Sequence, residues 1–470
     1  MRIELADFAR SAHGLFFHFT VSEHRFNTTY WYDDCDLPQL EERYGSDFMQ
    51  RVYFHIAAFE MNKLASLNVP EISFGPFQAY VDRPFIELWN HIAHGVWAQW
   101  RYENNLPHWA PPTIVGASDV DEYGKPSDAA VGPVPYLTFC GGGKDSAVAQ
   151  TLLHDVGASY HSFVYAHSIY GRAERQFAII EGLTDALPEA AIRKLSVIDD
   201  FLSAPTHLLA SEFGVRSVTA AETPSSIFAA IPLVLQHGYR YLVLGHERSA
   251  DVGNLIWKDT GEEVNHQWCK SSEAERLLSG YLQTRLVANL RLFSILKPIN
   301  DVVIFGALRA LPPSVIRATH SCNIDKPWCR RCAKCVYVWL NYLAYLDESL
   351  VRDLFNGENL FDISQNFQLL KQLIGLTEAT PFECIGEAPE SRLALALCRA
   401  RGQSGDFFEL VDADSVDTLA PIVDKYTSVD ISYPGMPAGL GIIDELIRIS
   451  VETAEWIRRT LKSDFQERIS

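Results

Sequence analysis

The sequence predicts an α/β protein: a parallel sheet with crossover helices, preceded by an α+β region and followed by a helical region with a four-cysteine metal site. Three observations carry this. Beyond residue 133, short apolar runs alternate with helical stretches, the rhythm of a parallel sheet with crossovers. A triple glycine joins one of those runs directly to a helix. Four of the nine cysteines crowd between Cys322 and Cys335.

From Glu4 to about Tyr32, apolar and polar residues alternate in runs such as LFFHFTV and TTYWY, which predicts antiparallel strands. Helical periodicity over 48–67 and 84–102 completes an N-terminal α+β domain at 1–104. Residues 105–132, rich in Pro, Gly and Asp and without a sustained period, read as a linker. The next domain, 133–320, runs through PYLTFC, a helix from Ala147, SFVYAH, another helix, KLSVID, a helix from Pro224, and YRYLVLGH. The cysteine segment and its helix take 321–345. A helical region, 346–470, ends in an amphipathic helix over 442–461.

Across 470 residues, 40 Lys+Arg stand against 59 Asp+Glu, a formal charge of -19. So acidic a chain is a poor partner for nucleic acid, and any anion site must be a local cluster of basic groups and backbone donors. The opening MRIELADFAR lacks the apolar stretch of a secretory signal. The apolar run at 227–235 contains Pro232 and falls far short of the roughly 20 residues of a membrane span. A cytoplasmic location without membrane contact is therefore expected, and in a reducing compartment clustered cysteines favour metal over disulfide.

The most informative segment is PYLTF-Cys140-Gly141-Gly142-Gly143-Lys144-Asp145-Ser146. Glycines let the backbone approach a ligand, and the first turn of the following helix points free N–H groups at it, which favours an anion. Lys144 adds positive charge and Ser146 a hydroxyl. Asp145 after the lysine breaks the pattern of a kinase or GTPase phosphate loop, and Ser146 stands where a dinucleotide fingerprint needs its last glycine. The segment resembles the Ser-Gly-Gly-x-Asp-Ser signature of the ATP-pyrophosphatase (PP-loop) superfamily, with Cys140 in place of the first serine. That resemblance implies a PP-loop, adenine-nucleotide-hydrolase-like sheet and cleavage of ATP between its α and β phosphates. It also implies that Gly141, Gly142, Gly143, Lys144 and Ser146 hold pyrophosphate and that Asp145 orients Mg²⁺ or a loop donor; Cys140 is grouped with these cofactor-binding residues, its thiol either replacing the serine hydroxyl or serving another role.

Cys322-x6-Cys329-x2-Cys332-x2-Cys335 offers four thiols at two overlapping C-x2-C spacings, enough to converge on one tetrahedral ion. Structural Zn²⁺ is expected, with Lys326, Arg330, Arg331 and Lys334 offsetting the thiolate charge; an iron-sulfur or redox site is the alternative.

Between loop and cluster lie LGHERSADVGN and VNHQWCKS, and after the cluster comes PFECIGEAPES. With GGGKDS and the cysteine block, these segments resemble the UDP-N-acetylmuramoyl-L-alanyl-L-glutamate epimerase family of peptidoglycan synthesis. The resemblance implies inversion of the terminal L-glutamate of a nucleotide-sugar peptide, with ATP consumed to AMP and pyrophosphate. The chemistry accounts for that consumption: a Cα–H beside a free carboxylate is scarcely acidic, whereas adenylation removes the charge and leaves an acyl group that stabilises an enolate. Reprotonation on the other face then inverts the centre.

Within the matching blocks, the expected catalytic groups are Lys144, Asp145, His246, Glu247 and Cys384, with Cys269 as a second thiol. Arg248, His266 and Lys270 are expected to bind substrate, and Lys258 is a further basic candidate. Two other readings stand beside this one. A ligase resembling 7-cyano-7-deazaguanine synthase shares the superfamily and a similar cysteine cluster, and a non-catalytic ATP sensor needs only the loop.

Overall fold

The alternating pattern of the first 32 residues forms a three-stranded antiparallel meander, β1 Arg2–Arg10, β2 Gly14–Val21 and β3 His24–Tyr32. Its apolar positions (Leu15, Phe17 and Phe19 on β2; Phe26 and Tyr30 on β3) are buried, partly against the apolar helix Ser46–Met61. The helical period expected over 48–67 is that helix followed by a tighter turn, Asn62–Leu67. β4 Glu71–Ser73 and β5 Thr113–Ile114 extend the meander in parallel on its far side. The computed structural model describes residues 1–116, 124–187, 190–202, 204–409 and 416–469. Part of the expected linker, 117–123, therefore lies outside the described residues.

The parallel strands are β6 Tyr136–Phe139, β7 Tyr160–His167, β8 Ile192–Asp199, β9 Tyr241–Leu244 and β12 Arg291–Ser294. β10 Leu255–Ile256 and β11 Glu263–Val264 form a separate hairpin. The main sheet has ten strands in the order β12-β9-β6-β7-β8-β3-β2-β1-β4-β5. β8 pairs antiparallel with β3, from Thr28 opposite Asp199 to Tyr32 opposite Leu195, so strands from the first hundred residues and from 133–320 belong to one sheet. β6 has its chain successor β7 on one side and the later β9 on the other, which makes its carboxyl end the switch point where α/β sheets open a ligand crevice.

The junction of the two sheet halves is ionic as well as hydrogen-bonded. Lys63 is buried; its Nζ contacts Glu60 and lies 2.5 Å from Asp199 Oδ2. Tyr30 donates to Glu60 at 2.7 Å and Thr28 at 3.0 Å. Burial alone would raise the Glu60 carboxyl, but Lys63 and His167 hold it down at about 2.

A second core lies where the helices Ala333–Tyr345, Ala388–Ala400 and Ile442–Ile469 pack with Asp301–Leu308. The final helix begins where the period predicts and runs eight residues further. Helix Lys144–Asp155 follows β6 and contributes Val148 and Leu152 to this core.

Candidate active site

The β6 strand delivers its loop to the switch point. Cys140 N–H donates to Phe163 O at 2.8 Å, extending the pairing with β7 by one residue. Gly142 has φ +78, and a Cβ there would stand 2.1 Å from His320 Nε2, so both conformation and space demand glycine. Its carbonyl accepts from the His320 N–H at 2.9 Å. Gly141 N–H donates to Ser146 Oγ at 3.0 Å. Cys140 is buried; burial raises its thiol, while the Gly142 amide, Gln150 and Ser146 pull the other way. In this structure Cys140 thus supports the loop from within. The loop opens on a cavity of about 260 Å³ lined by Gly141, Gly143, Asp145, Ser146, Tyr165, Tyr170, His320, Lys326 and Lys334, among others.

Behind the loop, three carboxyl groups gather around one lysine, and a fourth, Glu390, lies near Asp301. Lys144 Nζ lies 2.6 Å from Asp145 Oδ1 and 2.5 Å from Asp301 Oδ1, and Tyr337 donates to Asp301 Oδ2 at 2.6 Å. Burial alone would lower the Lys144 ammonium, but Asp145, Asp301 and Glu247 carry its pKa well above the ordinary lysine value. Glu247 is 6 % exposed, and burial together with Asp301 and Asp145 pushes its carboxyl up to about 7. Glu390 is pushed to about 8 by burial and Asp301 while accepting from Ser249 Oγ at 2.8 Å and Glu387 N–H at 2.7 Å. Carboxyl groups poised near neutrality are suited to proton transfer.

The third group is a thiol cluster. Lys270 and His266 both act on the Cys384 thiol. Burial alone would raise the Cys384 thiol, but Lys270 and Lys334, with His266, carry its pKa well below the ordinary cysteine value. Cys269 shifts the other way: burial keeps its thiol protonated, and its sulfur lies 3.4 Å from Thr223 Oγ1. Glu247 and Lys270 attract each other, which links the carboxyl group at the loop to the thiols. His266 Nδ1 contacts Gln99 Oε1 at 2.5 Å, so the N-terminal region orients a ring of this site. His246 is lowered well below the ordinary histidine value by burial and by Lys270 and Lys297, and stays neutral.

In the cysteine segment, Cys322 and Cys332 sulfurs lie 3.9 Å apart and those of Cys329 and Cys335 3.8 Å, all four lying within 4.8 Å of one another. A tetrahedral ion with bonds of about 2.3 Å spaces its sulfurs by about 3.8 Å. Cys322 Sγ accepts from Ile324 and Asp325 amides and Cys332 Sγ from the Cys335 amide, which aims the sulfurs inward. The four cysteines fit a zinc ion, with Cys335 on the rigid helix Ala333–Tyr345.

The structure therefore brings together Gly141, Gly142, Gly143, Lys144, Asp145, Ser146 and Glu247, and in a connected group Cys384, Cys269, His266 and Lys270. Arg248 is engaged elsewhere, donating to Pro298 O at 2.6 Å and Ser428 Oγ at 3.2 Å. Lys258 is exposed beside Glu378 at 3.7 Å. Sequence reasoning missed Gln99, Asp301, Tyr337 and Glu390. Asp301 had a readable signal, since it follows the apolar run ending in β12 and so lies beyond the carboxyl end of a strand.

The family model for the MurL N-terminal domain matches residues 218–295, and that for the MurL C-terminal domain matches 314–420. Together they take in β9, the Glu247 and Lys270 segments, the cysteine segment and Cys384. Over these two segments the chain is similar to the MurL family. Similar proteins include three named UDP-N-acetyl-alpha-D-muramoyl-L-alanyl-L-glutamate epimerase. That of Micromonospora sp. is 28% identical over 317 residues, covering 66% of each chain. That of Salinispora tropica is 31% identical over 315 residues, covering 64% of this chain and 63% of the relative. That of Xanthomonas oryzae pv. oryzae is 32% identical over 197 residues, covering 40% and 42%. The match to each relative thus spans two thirds of its length or less. No helix among the described residues is long and apolar enough to cross a membrane.

Proposed function

We propose that this chain is an epimerase of peptidoglycan synthesis that inverts the terminal L-glutamate of UDP-N-acetylmuramoyl-L-alanyl-L-glutamate in an ATP-dependent reaction. The observation that carries the reading is the pairing of a glycine anion loop with two thiols of opposite protonation, Cys384 as thiolate and Cys269 as thiol, on either side of Lys270 in sequence and charge. Groups whose surroundings drive their pKa values apart are how a site holds a base and an acid at one pH.

ATP supplies the activating group: a substrate carboxylate oxygen takes the α-phosphoryl group and pyrophosphate leaves from the loop. The loop amides, Ser146 and Lys144 hold the departing charge, and Asp145, the carboxylate that lines the cavity, would take Mg²⁺. Cys384 takes the Cα proton, and Cys269 returns a proton to the opposite face. Lys270 stabilises first the thiolate and then the enolate charge. Glu247, half-ionised near neutral pH, is the base for the water that splits the acyl phosphate bond and frees AMP.

The purified chain with ATP, Mg²⁺ and the UDP-muramoyl dipeptide in heavy water tests this. We expect deuterium at the glutamate Cα, D-glutamate by chiral analysis and stoichiometric pyrophosphate. Cys384→Ser should lower deuterium uptake by about 10²- to 10⁴-fold while pyrophosphate release persists. Epimerisation at the parental rate by Cys384→Ser would remove the thiol from the mechanism, and deuterium uptake without ATP would remove the adenylation step.

A further inference from the structure

We propose that the cysteine segment is also part of the nucleotide site: Lys326 and Lys334, together with His320 at its entrance, close over the glycine loop and hold the phosphate chain of a nucleoside polyphosphate. The inference rests on reading the loop as a nucleotide site, and adds groups from a separate segment of chain.

The segment is docked on the loop through His320, whose amide binds Gly142 O. The ring is 1 % exposed and lines the loop cavity, and its Nε2 has no partner. Its Nδ1 lies 3.2 Å from Lys326 Nζ. An ammonium can only donate there, so Nδ1 accepts and Nε2 carries a proton, a buried donor awaiting an acceptor.

Lys326 and Lys334 line the same cavity, and among the described residues neither has a carboxylate within salt-bridge distance. Asp145, the acid that shares the cavity lining, is already paired with Lys144. In a chain of formal charge -19, two ammonium groups facing one glycine loop with no carboxylate at ion-pair distance form the local basic cluster that an anion requires.

The cavity, about 260 Å³, is below the roughly 300 Å³ at which whole-ligand pockets begin, so it suits a phosphate chain. It adjoins a second cavity of about 360 Å³ that shares Tyr170, Gln176 and Lys326 and adds Ile169, Ile179 and Ile324, walls for the rest of a nucleotide.

The phosphate chain is that of ATP or that of a UDP-linked substrate, and binding measurements separate the two. Full-length Lys326→Met and Lys334→Met, each first shown by elemental analysis to retain the parental metal content, are titrated calorimetrically with Mg·ATP and separately with UDP-N-acetylmuramic acid. Loss of one charged hydrogen bond predicts about 10- to 100-fold weaker binding of one nucleotide with the other unchanged, and the nucleotide affected identifies the source. If both metal-replete variants bind both nucleotides like the parent while Gly141→Ala weakens ATP, the inference is overturned and the loop reading survives. A parent chain that binds neither nucleotide overturns both.

Discussion

Gly141 and Gly142 are neighbours in one loop, yet the structure predicts opposite consequences for adding a methyl group to each. At Gly142 the left-handed φ of +78 costs an alanine about 1–2 kcal/mol, and a Cβ 2.1 Å from His320 Nε2 adds about 1–3 kcal/mol of overpacking. Gly142→Ala should therefore lose about 2–5 kcal/mol, a large share of a typical margin of about 5–15 kcal/mol. At Gly141 a Cβ meets nothing within 4 Å and φ lies outside the left-handed range, so Gly141→Ala should change stability by no more than about 0.5 kcal/mol. Its methyl nevertheless stands on the lining of the loop cavity, where a phosphate must approach the backbone. Losing one charged contact weakens ATP by about 10- to 100-fold. Urea unfolding measures the first quantity and calorimetric titration the second. A Gly141→Ala chain with parental ATP affinity would refute the close approach of phosphate at this position, and a Gly142→Ala chain of parental stability would refute the packing against His320.

Three further outcomes follow from the geometry. The Glu247 carboxyl titrates near 7 in the fold against about 4.5 when exposed, so between those values the folded chain holds the extra proton and stability falls as pH rises, by up to about 3 kcal/mol. Glu247→Gln should remove that part of the slope in unfolding measurements between pH 5 and 7 and leave the Glu390 contribution; an unaltered slope would contradict the assignment. The purified chain should carry one zinc ion, and Cys332→Ser should lose both the metal, by elemental analysis, and thermal stability; an equally stable metal-free chain would dismiss a structural role. Lys63→Met leaves Glu60 and Asp199 buried without their cation and should destabilise the fold by about 3–5 kcal/mol, whereas the same change at exposed Lys258 should be within about 0.5 kcal/mol.

What could be read before folding was what neighbours in sequence decide. The alternation in LFFHFTV announces β2 because its inward and outward faces differ, and PYLTFC followed by three glycines announces β6, its loop and helix Lys144–Asp155 because all the required residues are contiguous. The cysteine spacing is likewise local. Gln99 against His266, Tyr337 against Asp301 and Glu390 against Ser249 join residues 167, 36 and 141 positions apart, and nothing in their immediate surroundings marks them. The two-residue β5, hidden in a stretch rich in Pro and Gly, is a strand because β4 offers it a partner. Arg248 illustrates the converse: its polar block marks it as a substrate group, whereas the fold turns two of its donors to Pro298 O and Ser428 Oγ.

The β3–β8 ladder has a consequence for any attempt to dissect this chain. A fragment beginning at residue 133 would keep the glycine loop and the cysteines, but would turn β8 into a bare border strand, its N–H and C=O groups and its apolar Leu195 and Val197 open to other molecules. Such a fragment is expected to self-associate through that border, because one sheet runs across segments that the sequence reads as separate modules.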